Sequence, residues 1–341
     1  MKKKILQLIN EDKLEFDKLP EKYKKDKEIF LQAVKKHGYA LKYADESVTK
    51  DKTIVLEAIN NCSYGLKFAD KSLKNDKKIV LSAVKKHGYN FQFVSDDLKK
   101  DKKIILEAIK TFSTTLEYMD VNLKNDKKFI LKLMKINGTA LEYTNKIHRN
   151  DKELVLEAVK SSGSSIRYAS KKLRNDRAVV LEVLKKSGSS IRYASKKLRN
   201  DRVVVLEAIK QDGYALEYLS KNLKKDKKIV LEAVKRDGYA LKYADKSLKK
   251  NRTIVLEAVK NYGHALEYAD KLFRKDKEII LEAVKQDGIS LDLADESLKK
   301  DKEIVLEAVK KDGYAINFAD SSFIDDKDFR GYLHELVGYD F

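Results

Sequence analysis

The chain has 341 residues, 73 Lys and Arg against 54 Asp and Glu, and a formal net charge of +19. Its apolar content suffices for a core, but no apolar run approaches the ~18 residues of a membrane span, and the short apolar patch behind Lys2, Lys3 and Lys4 is too weak for a signal peptide. One cysteine, Cys62, excludes a disulfide framework or a multi-cysteine metal site, and suits a reducing, intracellular compartment such as the cytoplasm.

A period of 25 residues governs almost everything that follows. Residues 1–25 form a degenerate first unit, with Leu6, Leu8, Ile9 and Phe16 on the apolar positions and Pro20 in place of a cap residue. Twelve full units then run over 26–325 without an insertion, starting at Asp26, Asp51, Asp76, Asp101, Asp126, Asp151, Asp176, Asp201, Asp226, Asn251, Asp276 and Asp301. A truncated unit, 326–341, closes the chain, with Gly331 where the others have Leu. The expected layout is a capping repeat over 1–25, twelve α-hairpin repeats over 26–325 and a capping repeat over 326–341.

Residues 226–250 are the cleanest copy. Asp226 is placed to cap the first turn of a helix. Ile229, Val230, Leu231, Ala233 and Val234 then form one broad apolar face at helical spacing. Gly238 is expected to end this helix as a left-handed C′ residue. The apolar residues Ala240, Leu241, Tyr243 and Ala244 predict a second, shorter helix, and Asp245 a cap for a last turn that carries Leu248 inward. Leu at unit position 6 is present in all twelve full units, from Leu31 to Leu306, and is expected to be buried between helix layers. Each unit buries about six large side chains at roughly 1.5–3 kcal/mol each, while ordering a residue costs ~1–2 kcal/mol of backbone entropy. A single unit therefore does not fold alone. The predicted fold is all-α: an α-solenoid of 25-residue helix–turn–helix repeats.

The stretches DKEIVLEAVKKDGYA (301–315) and ALEYADKLFRKDKEIILEAV (265–284) resemble the repeat called domain of unknown function 4116, known from giant DNA viruses and amoeba-associated bacteria. The resemblance implies a helical repeat and a viral or host-associated source; it implies no activity.

No constellation in the sequence calls for chemistry. His37 and His87 share a unit position but lie in non-adjacent units, so no zinc set converges. His148 replaces the inward Leu of the last turn. N-capping accounts for the ladder of Asp residues, and no phosphate-binding or nucleophile motif is present. The expectation is a protein that is not an enzyme and needs no cofactor, metal or small-molecule substrate.

Two surfaces are candidates for a partner. Variation concentrates at the turn between the helices, giving His37, Tyr39, His87, Tyr89, Asp212, Tyr214, Asp237, Tyr239 and Tyr262 as edge contacts. The other is a basic centre, Arg167, Lys171, Lys172, Arg174, Arg177, Arg192, Lys196, Lys197, Arg199 and Arg202, within a segment in which Ser162–Arg177 and Ser187–Arg202 are identical. Arg suits bidentate grasp of carboxylate or phosphate. The function expected is a non-catalytic repeat scaffold that binds another macromolecule, foremost a protein, along its extended surface. The alternative is a basic, RNA-leaning nucleic-acid binder that uses the Arg-rich centre and the position-14 tyrosines as stacking platforms.

Overall fold

The computed structural model describes residues 1–325 together with Phe329 and Gly331, so most of the closing unit 326–341 lies outside the described residues. The described residues divide into two compact halves, Met1–Ser170 and the residues from Lys171 on. Every regular element among them is helical, and each half is a run of stacked 25-residue units.

In unit 226–250, Asp226 Oδ1 accepts from the amides of Lys228 and Ile229 at 3.0 and 3.1 Å. The helix Lys227–Arg236 that follows turns Ile229, Val230, Ala233 and Val234 into the core, each fully buried. Asp237 then adopts an extended backbone (φ −150°, ψ 111°) and caps a six-residue 3₁₀ helix, Gly238–Tyr243, through a bond from the Tyr239 amide at 3.0 Å. The apolar residues of this segment recur three apart, Ala240 with Tyr243 and Leu241 with Ala244. That is the period at which side chains eclipse in a 3₁₀ helix. A final turn, Leu248–Lys250, brings Leu248 inward.

The glycine does not do what the sequence predicts. The turn glycines Gly38, Gly88, Gly138, Gly188, Gly213, Gly238, Gly263 and Gly288 all keep a backbone outside the left-handed region. Gly238 opens the second helix rather than ending the first, and what it needs is space: a Cβ there would lie 2.3 Å from the carbonyl oxygen of Ala258 in the next unit. The two full units with Ser at this position depart from the common form. After Ser63 the 3₁₀ segment shrinks to Gly65–Phe68, and before Ser113 the helix Lys102–Ala108 stops early.

Neighbouring units are tied by two polar ladders. The amide at unit position 20 donates to the carbonyl at position 24 of the preceding unit, as from Asp45 to Lys24 at 2.9 Å and from Asp245 to Lys224 at 3.0 Å. The cation at position 2 pairs with the capping aspartate of the next unit. Examples are Lys27–Asp51 and Lys52–Asp76, both 2.7 Å, in the first half, and Arg202–Asp226 at 2.5 Å and Lys277–Asp301 at 2.8 Å in the second. Each such aspartate therefore caps its own helix and holds the previous one. These cations, with the capping amides, keep the Asp51, Asp76 and Asp226 carboxyls below the usual carboxylate range, although partial burial opposes the shift.

Residues 1–25 carry the same order of elements, a helix Lys2–Asn10, a 3₁₀ turn Phe16–Lys18 and a short helix Glu21–Lys24. Lys2 pairs with Asp26 at 2.7 Å, so the ladder starts in this degenerate unit.

Candidate docking surface

The core of each unit comes from positions 4, 5, 8 and 9 of the first helix and positions 15 and 16 of the second, joined by position 23 in seven of the twelve full units. Position 6 is displaced by roughly 130° around the helix from the centre of the buried stripe. Its leucine is accordingly half-buried in eleven units, and Leu206 is exposed, at 37%. This overturns the expectation that the invariant leucine is sealed between layers. It flanks the core, and Leu206 and Leu231 line a groove between two successive first helices.

This groove lies in the second half, between helices Arg202–Gln211 and Lys227–Arg236. It encloses about 650 Å³. Leu206, Ile209 and Leu231 form its apolar floor, and Arg202, Lys210, Lys228, Lys235 and Arg236 stand around it with a single carboxylate, Glu232. Arg202 is occupied by Asp226. The other four cations make no ion pair among the described residues. Elsewhere the lysine at position 10 holds the glutamate three residues before it, as in Lys110–Glu107 and Lys185–Glu182, both 2.8 Å, and Lys285–Glu282 at 3.3 Å.

The ten cations of the predicted basic centre straddle the division of the chain. Arg167 belongs to the first half and the other nine cations to the second. Arg167 lies over its neighbour Tyr168, 4.5 Å from the ring centroid, and donates to the Tyr168 hydroxyl. Arg192 lies 4.6 Å from the Tyr193 ring and 5.8 Å from that of Tyr218. Arg177 pairs with Asp201 at 3.2 Å, just as Arg202 pairs with Asp226. Arg174 and Arg199 are half-buried, and Arg199 reaches the carbonyl of Tyr218 at 3.4 Å. Their place in the unit is that of Lys124, Lys224 and Lys249, which donate to the carbonyls of Glu117, Glu217 and Lys242 in the second helix of their units. Lys171, Lys172, Lys196 and Lys197 are exposed.

Within the predicted variable edge, the two aspartates are caps and the aromatic residues pack among themselves and their neighbours. Asp212 and Asp237 accept from the amides of Tyr214 and Tyr239 at 2.9 and 3.0 Å. His37 Nε2 lies 3.0 Å from the Asp12 carboxylate, and His87 is half-buried. The tyrosines pack on one another. Tyr214 stacks on Tyr239 at 6.3 Å, while Tyr262 meets the edge of Tyr239 at 6.2 Å. Tyr89 lies between Tyr64 at 4.7 Å and Phe112 at 5.1 Å. Lys242 donates to the Tyr239 hydroxyl at 2.6 Å and pulls its pKa down, whereas burial pushes Tyr243 up. Tyr39, 48% exposed, keeps the most open ring of the predicted edge. Among the described residues no three His, Cys, Asp or Glu side chains converge on a point that would hold a metal ion.

Against this geometry, the family model described as domain of unknown function, DUF4116, matches residues 2–49, 51–99, 77–124, 101–149, 126–174, 151–197, 176–224, 226–274 and 276–329. The chain belongs to the DUF4116 family. Each match spans about two of the 25-residue units, and several successive matches start one unit apart, so the DUF4116 repeat is read here in overlapping registers. No curated protein matches the chain.

The position-6 leucine is thus a surface residue that its invariance alone does not reveal. The signal was present: a leucine repeated without exception at a helical angle away from the buried stripe.

Proposed function

We propose that this DUF4116 protein is a non-catalytic scaffold that binds another protein along the outer face of its first helices. One observation carries the reading. Position 4 is buried in every full unit, yet it varies among Ile, Phe, Leu and Val, as in Ile54, Phe129, Leu154 and Val204. Position 6 is only half-buried and is always Leu. Packing alone argues for the opposite order, since a sealed site is the more demanding one. A leucine fixed where it is half in water fits a surface that a partner covers, gaining about 25 cal/mol for each Å² of apolar area removed from water. Repetition along each half multiplies weak contacts through effective concentration. The nucleic-acid alternative draws less support, because the tyrosine rings are engaged with one another and many of the arginines with Asp or Tyr.

Photo-crosslinking tests this reading. A benzophenone side chain is placed at Lys85 or Lys235, both exposed at position 10 of the leucine face, and, as a control, at exposed Lys197 away from that face. In the cells that produce the protein, the expected result is a discrete protein adduct from the leucine face that resists nuclease and disappears with Leu81→Ser or Leu231→Ser. Adducts that nuclease removes, or that form equally from Lys197, overturn the proposal.

A further inference from the structure

We infer that the groove between helices Arg202–Gln211 and Lys227–Arg236 receives an acidic amphipathic helix of a partner protein; this deepens the scaffold reading and rests on it. The floor gives the first half of the argument. Leu206, the most exposed of the twelve position-6 leucines, and Leu231 stand on adjacent helices, with buried Ile209 beneath them. One turn before Leu206, Val203 is 56% exposed, at a position where most other units place Lys, Thr or Glu. Val203 thus adds apolar surface one turn before Leu206. The apolar surface is also linear, following two ten-residue helices, about 15 Å in length. A third helix laid in such a groove packs at the usual 8–10 Å interaxial distance and meets the floor with apolar residues at i, i+3, i+4 and i+7.

The rim gives the second half. Lys210, Lys228, Lys235 and Arg236 line the groove without an ion pair among the described residues, against the one carboxylate Glu232. Lys210 has Glu207 three residues before it and Lys235 has Glu232, the spacing that pairs in other units, yet neither forms the bridge. Four uncompensated cations around an aliphatic floor are complementary to carboxylates flanking an apolar stripe. A nucleic-acid strand matches the rim but not the floor, which offers no aromatic face and no hydrogen-bonding group for a base.

The test uses the full chain and fluorescence anisotropy at about 0.15 M salt. The probe is a labelled peptide of about 18 residues, five turns, with Leu on one helical stripe, Glu beside it and Ala elsewhere. A second peptide has the same composition in an order that scatters the Leu residues, and an oligouridylate serves as the nucleic-acid arm. The amphipathic peptide is expected to bind at least tenfold more tightly than the scattered one and to outcompete the oligouridylate. Leu206→Ser with Leu231→Ser, and separately Lys210→Glu with Lys235→Glu and Arg236→Glu, are each expected to weaken it at least tenfold, about 1.4 kcal/mol; the charge reversal also flattens the salt dependence. Leu81→Ser with Leu106→Ser, in the first half, should leave binding within twofold, and circular dichroism of both serine pairs separates lost binding from lost fold. Equal binding of the scattered peptide, equal binding of the oligouridylate, unchanged binding by a folded Leu206/Leu231 variant, or equal loss in the first-half variant overturns the inference. If the peptide fails while adducts from Lys235 still depend on Leu231, the acidic helix is wrong and the scaffold stands; if both fail, both readings fall.

Discussion

Replacing Gly238 with Ala separates two accounts of the glycine in the unit turn. Because no left-handed φ is involved, the substitution costs nothing in backbone strain, and reduced freedom of the unfolded chain alone would stabilise the protein by about 0.4–1 kcal/mol. The new methyl, however, would sit 2.3 Å from Ala258 O, 2.8 Å from Tyr262 Cβ and 3.0 Å from Tyr262 N. Two of these three atoms are backbone of the next unit, so no rotamer change relieves the contact; the units must separate. Overpacking of this kind costs about 1–3 kcal/mol. Two such terms of opposite sign leave a net loss of about 0–2.5 kcal/mol, with the clash dominant. Urea unfolding followed by circular dichroism measures it. Because solenoid arrays lose all-or-none behaviour, hydrogen exchange of the amides around Gly238 and Tyr262 supplies the local readout. Ser63→Ala at the corresponding exposed position should change stability by less than about 0.5 kcal/mol, and Gly238→Ala with Tyr262→Ala should not recover the loss. A stabilised Gly238→Ala, or full rescue by Tyr262→Ala, would refute the close-approach argument.

Leu206→Ala should cost about 1 kcal/mol, because the side chain is 37% exposed, whereas Leu241→Ala, fully buried in the next unit, should cost about 2–5 kcal/mol in the same urea titration. His148 is buried at the inward position that is Leu in most units; its Nδ1 has no partner and burial holds its pKa below the usual histidine value. A lowered histidine pKa means the unfolded chain takes up the proton first, so stability falls as pH drops below about 6.5. His148→Leu should remove that slope and add about 1–3 kcal/mol, read as urea midpoints between about pH 7 and pH 5. The capping carboxylates act lower on the scale. Their folded pKa is depressed, so their contribution is intact above the ordinary value of about 3.9 and is lost as pH falls through the folded one. Asp226→Ala should cost about 1 kcal/mol at neutral pH. Asp226→Asn keeps a cap, as Asn251 does for Ile254 at 3.3 Å, and should lose less while flattening the acid limb of the stability curve.

What the sequence made legible follows from where each residue's reason resides. The capping aspartates, the buried stripe Ile229, Val230, Ala233 and Val234, and the stacking of units are consequences of local spacing, and they appear as expected. The role of Gly238 was not legible, because its reason is a carbonyl oxygen 20 residues further along the chain that only the stacked structure brings close. The doubled Arg-rich segment offered positive charge but not its disposition: Arg177 is spent on the next cap, and Arg167 and Arg192 on tyrosine rings. Leu206 is the instructive failure. Its invariance is visible in the sequence, and invariance in an apolar residue suggests burial. The angle around the helix says otherwise, placing position 6 roughly 130° from the middle of the core face. Accounting for the near-fixed residues one at a time sharpens the point. Asp at position 1 caps and bridges; Ala at position 8 is fully buried and presents the carbonyl that Gly at position 13 must clear; Leu at position 16 fills the core. Only the leucine at position 6 remains constant beyond what the fold demands of it. That excess constancy, set beside the unpaired cations of the Leu206–Leu231 groove, is why the outer face of the first helices, rather than the turn edge or the arginine-rich centre, is the surface on which a partner should be sought.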